Sequence, residues 1–257
     1  MTALTAHSGG PAIAVAHLVK RFDDVLAVND ISFTVARGSI TALLGGNGAG
    51  KTTTLAVILG ALKPTSGEIT VLGVDMSRHR YDVIPKLNFS SPYVALPGRL
   101  TVAQNLTVFA HLYGLDRIKQ RIGHIAEALE LTDLLNTTVS KLSAGQKTRA
   151  SLAKAMINEP ELLLLDEPTA SLDPDTADWV RSYFETYRRE TGATILLASH
   201  NMSEVERLCD QVLMMRRGIL ADRGTPPELI QKYGRANLEE VFLDIARQPG
   251  GRELAAQ

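Results

Sequence analysis

The sequence holds one cysteine, Cys209, in 257 residues. A lone thiol excludes an intramolecular disulfide and a cysteine-built metal centre, and it suits a reducing compartment. Neither sign of charge is in excess. The 27 Lys and Arg residues face 28 Asp and Glu, for a net charge of −1. No global basic field therefore draws the chain to nucleic acid or to an anionic membrane. No apolar run approaches the ~20 residues that a membrane-spanning helix needs. The longest candidate, Thr54–Leu62, is broken by Gly60 and reads as a core helix. A membrane role is thus expected to come through a partner. Met1–Pro11 shows neither a basic start nor an apolar stretch, so no secretory signal is expected there. Internal repeats, low-complexity tracts and heptad runs are also missing. The hydrophobic share, 45%, is enough for a sizeable core in one large domain or two small ones.

What the sequence does have is a glycine loop in a telling context. Ser39–Leu44 is an apolar run, Gly45-Gly46-Asn47-Gly48-Ala49-Gly50-Lys51-Thr52 follows, and Thr53–Leu59 has helical spacing. Strand, glycine loop, helix is the setting of a phosphate-binding loop. Glycines let backbone N–H groups turn inward as an anion nest. A helix opening at Lys51 adds unpaired N–H groups and the positive end of its dipole. Lys51 can reach the β- and γ-phosphates, and the Thr52 hydroxyl can ligate Mg²⁺. A glycine-rich turn with a merely solvated lysine is the plainer alternative.

Strands are expected over Ala12–Leu18, Ile31–Val35, Glu68–Leu72 and Leu87–Phe89. Phe22 lies beside charged residues near a strand end. Its ring could stack on a base, or it could be an ordinary half-buried phenylalanine. Ser90–Arg99, with Pro92, Pro97 and Gly98, reads as a loop. From Thr101 the period becomes helical, with Val102, Leu106, Phe109, Leu112 and Tyr113 on one expected face, and Ile118–Leu129 continues it. Residues 90–158 look like a helical insertion in an α/β order. It ends in Leu142-Ser143-Ala144-Gly145-Gln146, where Ser143 can cap the next helix. Locally that segment is no more than a cap.

Four leucines, Leu162–Leu165, then lead into Asp166-Glu167-Pro168-Thr169. Such a run fits a strand buried on both faces, and its carboxyl end is where open α/β sheets bind ligands. Asp166 can share a Mg²⁺ shell with Thr52, and Glu167 can polarise a water. The alternative is that both acids cap the next helix. A helix is expected from about Asp175 to Glu190. A second buried strand, Thr194–Ala198, ends at Ser199-His200. Met202–Cys209 reads as a helix, Val212–Met215 with Ile219–Asp222 as a hairpin, and Pro226–Lys232 and Leu238–Ala246 as amphipathic helices.

Taken together and in this order, these motifs resemble the ATP-binding subunit of an ABC transporter over about Ala12–Arg247. The most specific part is Leu142–Gln146, which is similar to the ABC signature. The resemblance implies a P-loop ATPase fold: an α/β core with a mixed sheet and an inserted helical subdomain at about 90–158, with flexible termini at 1–11 and 248–257. It implies ATP as substrate and Mg²⁺ as cofactor. Phe22 would stack on adenine, Gly45–Thr53 would bind the phosphates, and Glu167 would be the catalytic base beside Lys51 and His200. Ser171 and Asp173 match the D-loop. Ser143, Ala144, Gly145 and Gln146 would act on nucleotide held by a second such subunit. The downstream stretches Ser199–Asp210, Gly224-Thr225-Pro226 and Leu238–Leu243 resemble exporters paired with ABC-2-type permeases. The implied setting is the cytoplasm, at the inner face of the membrane through an integral permease, with no nucleic-acid partner.

Three departures from the family pattern stand out. Gly46 replaces a usual proline and should be tolerated. Ala144 replaces a usual glycine, which matters only if that backbone needs a positive φ. No glutamine stands near Ser91 or Pro92, where the family's Q-loop glutamine helps to hold Mg²⁺. Gln104 lies in a later motif and is no substitute. Ser91 would serve weakly or through water, so hydrolysis is expected to be slower or less tightly coupled. Two other readings are a soluble ABC-type ATPase acting on ribosomes or DNA, and a regulatory ATP binder with little hydrolysis.

Overall fold

The structure, a computed structural model, describes residues 10–91, 95–170 and 172–247. The expected loose termini fall almost wholly outside these residues, and so do Pro92 and Ser171.

The chain opens with β1 (Ile13–Phe22) and β2 (Val25–Val35), which pair antiparallel. Both run further than the sequence suggests. The strand pairing continues past Leu18, through register shifts, to the Phe22↔Val25 pair, and Asp23 turns the chain at φ 44, a conformation that Asp tolerates better than most residues. β4 (Ser66–Val71) and β5 (Val74–Asp75) complete a four-stranded sheet in the order β2-β1-β4-β5.

The second sheet carries the candidate site. It contains β3 (Ile40–Leu44), β6 (Leu87–Ser90), β7 (Leu162–Asp166), β8 (Thr194–Ser199), β9 (Gln211–Arg216) and β10 (Ile219–Gly224), in the order β10-β9-β3-β8-β7-β6. All neighbours are parallel except the β9–β10 hairpin. The sheet is buried on both faces, as the leucine run implied. Leu163 and Leu165 pack into one core and Leu162 and Leu164 into the other. Register then fixes the site. Leu44 pairs with Ser199, and Asp166 with Ala198, so three strands far apart in sequence end side by side.

Helix α1 (Lys51–Ile58) follows β3, and the helices α2 (Val102–Leu112), α3 (Ile118–Ala128) and α4 (Ala144–Met156) lie between β6 and β7. On α2 the expected apolar face needs one correction. Leu112 is 74% exposed, because at ~100° per residue it falls about 100° off the line of Val102, Leu106 and Tyr113. Thr101 and Gln104 close a capping box at the start of α2, which occupies Gln104. The remaining helices are α5 (Pro174–Thr191), α6 (Met202–Leu208), α7 (Pro226–Tyr233) and α8 (Leu238–Arg247).

Candidate active site at three strand ends

The glycine loop leaves β3 and enters α1 under tight backbone constraints. A Cβ at Gly45 would lie 2.5 Å from the Met215 carbonyl oxygen. Gly50 has φ 102, and a Cβ there would lie 2.6 Å from the Ala27 carbonyl. Neither position accepts another residue without backbone movement. Gly46 differs. Its φ is not left-handed, and a Cβ would touch only the Phe242 ring at 3.8 Å, so this departure from the family pattern carries no steric demand. A backbone relay fixes the loop from the side: Asn29 N–H donates to the Gly218 carbonyl at 2.8 Å, and Gly218 N–H donates to the Ala49 carbonyl at 3.0 Å. Asn47 and Gly48 form the exposed turn of the loop.

Lys51 is only 7% exposed. Its ammonium donates to the carbonyls of Gly45 at 2.6 Å and Gly46 at 3.3 Å, and it stands 3.7 Å from Glu167 Oε1. No side chain caps α1, so the first-turn N–H groups beyond Gly50, those of Lys51, Thr52 and Thr53, take no cap bond and suit an anion.

Asp166 ends β7 and is 2% exposed. Its Oδ2 accepts the Thr52 hydroxyl at 2.9 Å. Burial raises its pKa above the ordinary carboxylate value, and the neighbouring Glu167 adds to that, while the Thr52 bond and Lys51 oppose it. Glu167 follows in a left-handed backbone, φ 51, which costs a non-glycine residue about 1 kcal/mol. Two bonds hold it there: Glu167 N–H to the Ala198 carbonyl at 2.8 Å, and Ala170 N–H to the Glu167 carbonyl at 3.1 Å. Its Oε2 lies 2.8 Å from His200 Nδ1. The structure thus brings Lys51, Thr52, Asp166, Glu167 and His200 together. The two acids do not cap α5. Asp173 does, accepting from Thr176 N–H at 3.0 Å and from its hydroxyl at 2.7 Å, and these bonds lower its pKa.

The signature-like segment is held in bonds of its own. Ser143 caps α4 and forms a capping box with Gln146. Ala144 opens the helix and is not among the positive-φ residues, so its methyl carries no left-handed penalty. A Cβ at Gly145 would lie 3.1 Å from Thr176 Oγ1, a tight contact to which the Thr176 side chain would have to yield. Arg149 ties the same helix to α5 by stacking 4.4 Å from the Trp179 ring, and to the segment after α3 by pairing with Glu130.

Phe22 ends β1 and is 43% exposed, with Lys20 Nζ 4.7 Å from its ring centroid. Its hairpin partner β2 supplies the Ala27 carbonyl that crowds Gly50, so the ring is carried on a hairpin that abuts the loop. Ser91 is buried one residue past the Ser90↔Leu165 pair, level with Asp166. It lines a cavity of about 50 Å³ with Ser90, Thr148, Ser151, Pro168 and Leu172.

Sequence reasoning missed Glu204. It lies on α6, is 1% exposed, and accepts hydroxyl bonds from Thr169 and Ser199, both at 2.9 Å. The signal was present: Glu204 precedes Leu208 by one helical turn and so shares its buried face.

Residues 28–170 match the family model described as ABC transporter. The chain is 39% identical over 241 residues to the Nod factor export ATP-binding protein I of Rhizobium sp. (strain N33), covering 90% of this chain and 76% of that protein. It is 36% identical over 231 residues to the ABC transporter ATP-binding protein NatA of Bacillus subtilis (strain 168), covering 87% of this chain and 94% of that one. A solved ATP-binding subunit of an ABC transporter superposes with TM-score 0.82 at 27% identity, covering 91% of this chain and 99% of that one. The protein cbiO1 of Clostridium perfringens, part of the transporter complex cbiONQ, gives TM-score 0.78 at 30% identity, with coverage of 87% and 92%.

Proposed function

Because the chain belongs to the ABC transporter family of ATP-binding subunits, we propose that its five clustered side chains form one half of a shared ATP site that drives an ABC-2-type permease. ATP hydrolysis coupled to export through a separate permease is the activity of the subunits it resembles.

The donor set fits Mg²⁺. Asp166 is a buried carboxylate whose charge is disfavoured by burial, and the Thr52 hydroxyl shares its position. Among the described residues no group of three or more His, Cys, Asp or Glu could cage a metal. Mg²⁺ takes one or two protein oxygens and completes its shell with phosphate and water, and Asp166 with Thr52 can supply that number. Bound there, it would neutralise charge on the β- and γ-phosphate oxygens.

Lys51 exchanges its carbonyl partners for phosphate oxygens, and the N–H groups of residues 46–53 surround the phosphates. Glu167, held between Lys51 and His200, accepts the proton of the attacking water. Lys51 and His200 then stabilise the charge transferred to the γ-phosphate. Ser143, Gly145 and Gln146 close over the nucleotide of a partner subunit. Ser143 and Gln146 open a helix of their own and bond each other there, which suits this arrangement. Among the described residues no helix is long and apolar enough to cross a membrane. In this reading the chain works from the cytoplasm, reaches the inner membrane face through its permease and takes no nucleic-acid partner.

The observation that carries this reading is the Lys51–Glu167–His200 row at adjacent strand ends. The test is Mg²⁺-dependent phosphate release by the purified protein, with and without Glu167→Gln. The variant is expected to bind ATP, accumulate as a dimer and lose turnover. Unchanged turnover would remove Glu167 from the role of base.

A further inference from the structure

Beneath the Glu167–His200 pair lies a second, buried link between the same two strand ends. Thr169 comes two residues after Glu167, and Ser199 comes immediately before His200. Both hydroxyls donate to one carboxylate, Glu204, at 2.9 Å each, one to each oxygen. Ser199 Oγ also accepts the Asn201 N–H at 3.0 Å, and Asn201 Oδ1 accepts the Glu204 N–H at 3.2 Å. The bonds therefore run from the segment after β7, through Glu204, to the end of β8 and the start of α6. Burying a carboxylate is costly, and Arg181 offsets only part of that cost. A packed apolar residue would make a cheaper helix face. The chain keeps a carboxylate where it ties together the backbones that carry Glu167 and His200.

We propose that Glu204 is a positioning residue for hydrolysis, holding the backbone segments of Glu167 and His200 in register through Thr169 and Ser199. This rests on the reading of Glu167 and His200 as the hydrolytic pair. The bonds of the Glu204 carboxylate go to Thr169 and Ser199, neither of them proposed to hold phosphate, so it acts on turnover and leaves nucleotide binding alone.

Three variants of the full chain test this. Glu204→Ala removes both accepted bonds and is expected to lower kcat about tenfold, the loss of roughly one well-placed bond's worth of positioning. The Kd for ATP, measured with a fluorescent nucleotide, is expected to stay within about twofold, since no phosphate contact is lost. Glu204→Gln keeps an acceptor oxygen and adds a donor, and should recover kcat to within about threefold. If Glu204→Ala does not fold, Ser199→Ala and Thr169→Val each cut one arm, with the same expected split between kcat and Kd. A kcat equal to wild type in these variants overturns the proposal. So does ATP affinity falling in step with kcat, which marks a merely structural role. Glu167→Gln, assayed alongside, separates the two readings. If it retains wild-type turnover the hydrolytic pair itself is wrong, whereas if it is inactive and Glu204→Ala is not impaired, only the positioning role fails.

Discussion

The Thr52 hydroxyl donates to Asp166 Oδ2 across 2.9 Å, joining the first turn of α1 to the end of β7 over 114 residues of sequence. The parallel order β3-β8-β7 makes this possible, because it sets the glycine loop and the Asp166 carboxylate on the same edge of one sheet. The consequence is that the proposed metal position is assembled by the fold itself.

That assembly has a stability cost that Asp166→Asn should expose. Burial disfavours the charged carboxylate, and asparagine keeps an oxygen to accept from Thr52 while removing the charge. Mg²⁺-dependent phosphate release is expected to be lost. The melting temperature at neutral pH is expected to rise by about 2–4 °C, the shift that ~1 kcal/mol gives in a domain of this size. Calorimetry and a phosphate assay on the same preparation check both. A variant less stable than wild type would count against the burial argument.

Much of this site was legible in the sequence because its parts are local. Gly45–Thr52 needs only a strand before it and a helix after it, and Leu162–Asp166 announces a doubly buried strand by composition alone. What was not legible depends on distant backbone. That Gly45 is needed because of the Met215 carbonyl, or Gly50 because of Ala27, follows from strand order, which one sequence does not display. Glu204 hid for a different reason. A carboxylate near a helix start looks like a solvated dipole partner, and only its phase with Val205 and Leu208 places it inside. The reach of β1 to Phe22 was missed because register shifts between Val15 and Arg21 interrupt the alternation.

The start of α4 should respond to Gly145→Ala in a way that a second change repairs. The new methyl would meet Thr176 Oγ1 at 3.1 Å, so Thr176 must give way while it also donates to Asp173. A loss of about 1 kcal/mol is expected, typical of mild overpacking. Thr176→Ala in the same chain removes the clash and should recover part of it, since the Asp173 bond to the Thr176 backbone remains. Urea denaturation of the single and double variants measures the coupling. Strict additivity would mean that the contact does not limit the site.

The buried Glu204 carboxyl predicts a pH-dependent stability difference. Burial raises its pKa above 4.5, Glu167 adds to that, and Thr169, Ser199 and Arg181 act the other way. Its nearby Cys209 thiol is likewise pushed up, by burial first and Glu204 second. A raised acid contributes stability that is fully present below 4.5 and is lost as pH rises through the folded-state value. Glu204→Gln lacks this titration. The melting temperature of the variant minus that of wild type should therefore grow more positive from pH 4.5 to pH 7. A difference that stays flat across this window would show that Glu204 is not held at a raised value.

Ser91 offers the sharpest test of what this chain lacks. It stands one residue beyond the Ser90↔Leu165 pair, at the height of Asp166 on the neighbouring strand. A hydroxyl there is shorter than a glutamine amide by two bonds, so it meets the proposed metal shell weakly or through water. Ser91→Gln restores a side-chain carbonyl of the reach that the family pattern supplies. One added hydrogen bond of ~1 kcal/mol corresponds to about fivefold in rate. Basal phosphate release is expected to rise by that order, with a larger gain when the permease is present. Ser91→Ala should change the basal rate by less than about twofold, since the bond it removes is weak. If Ser91→Gln leaves both the basal and the permease-stimulated rates unchanged, the missing glutamine does not limit this subunit.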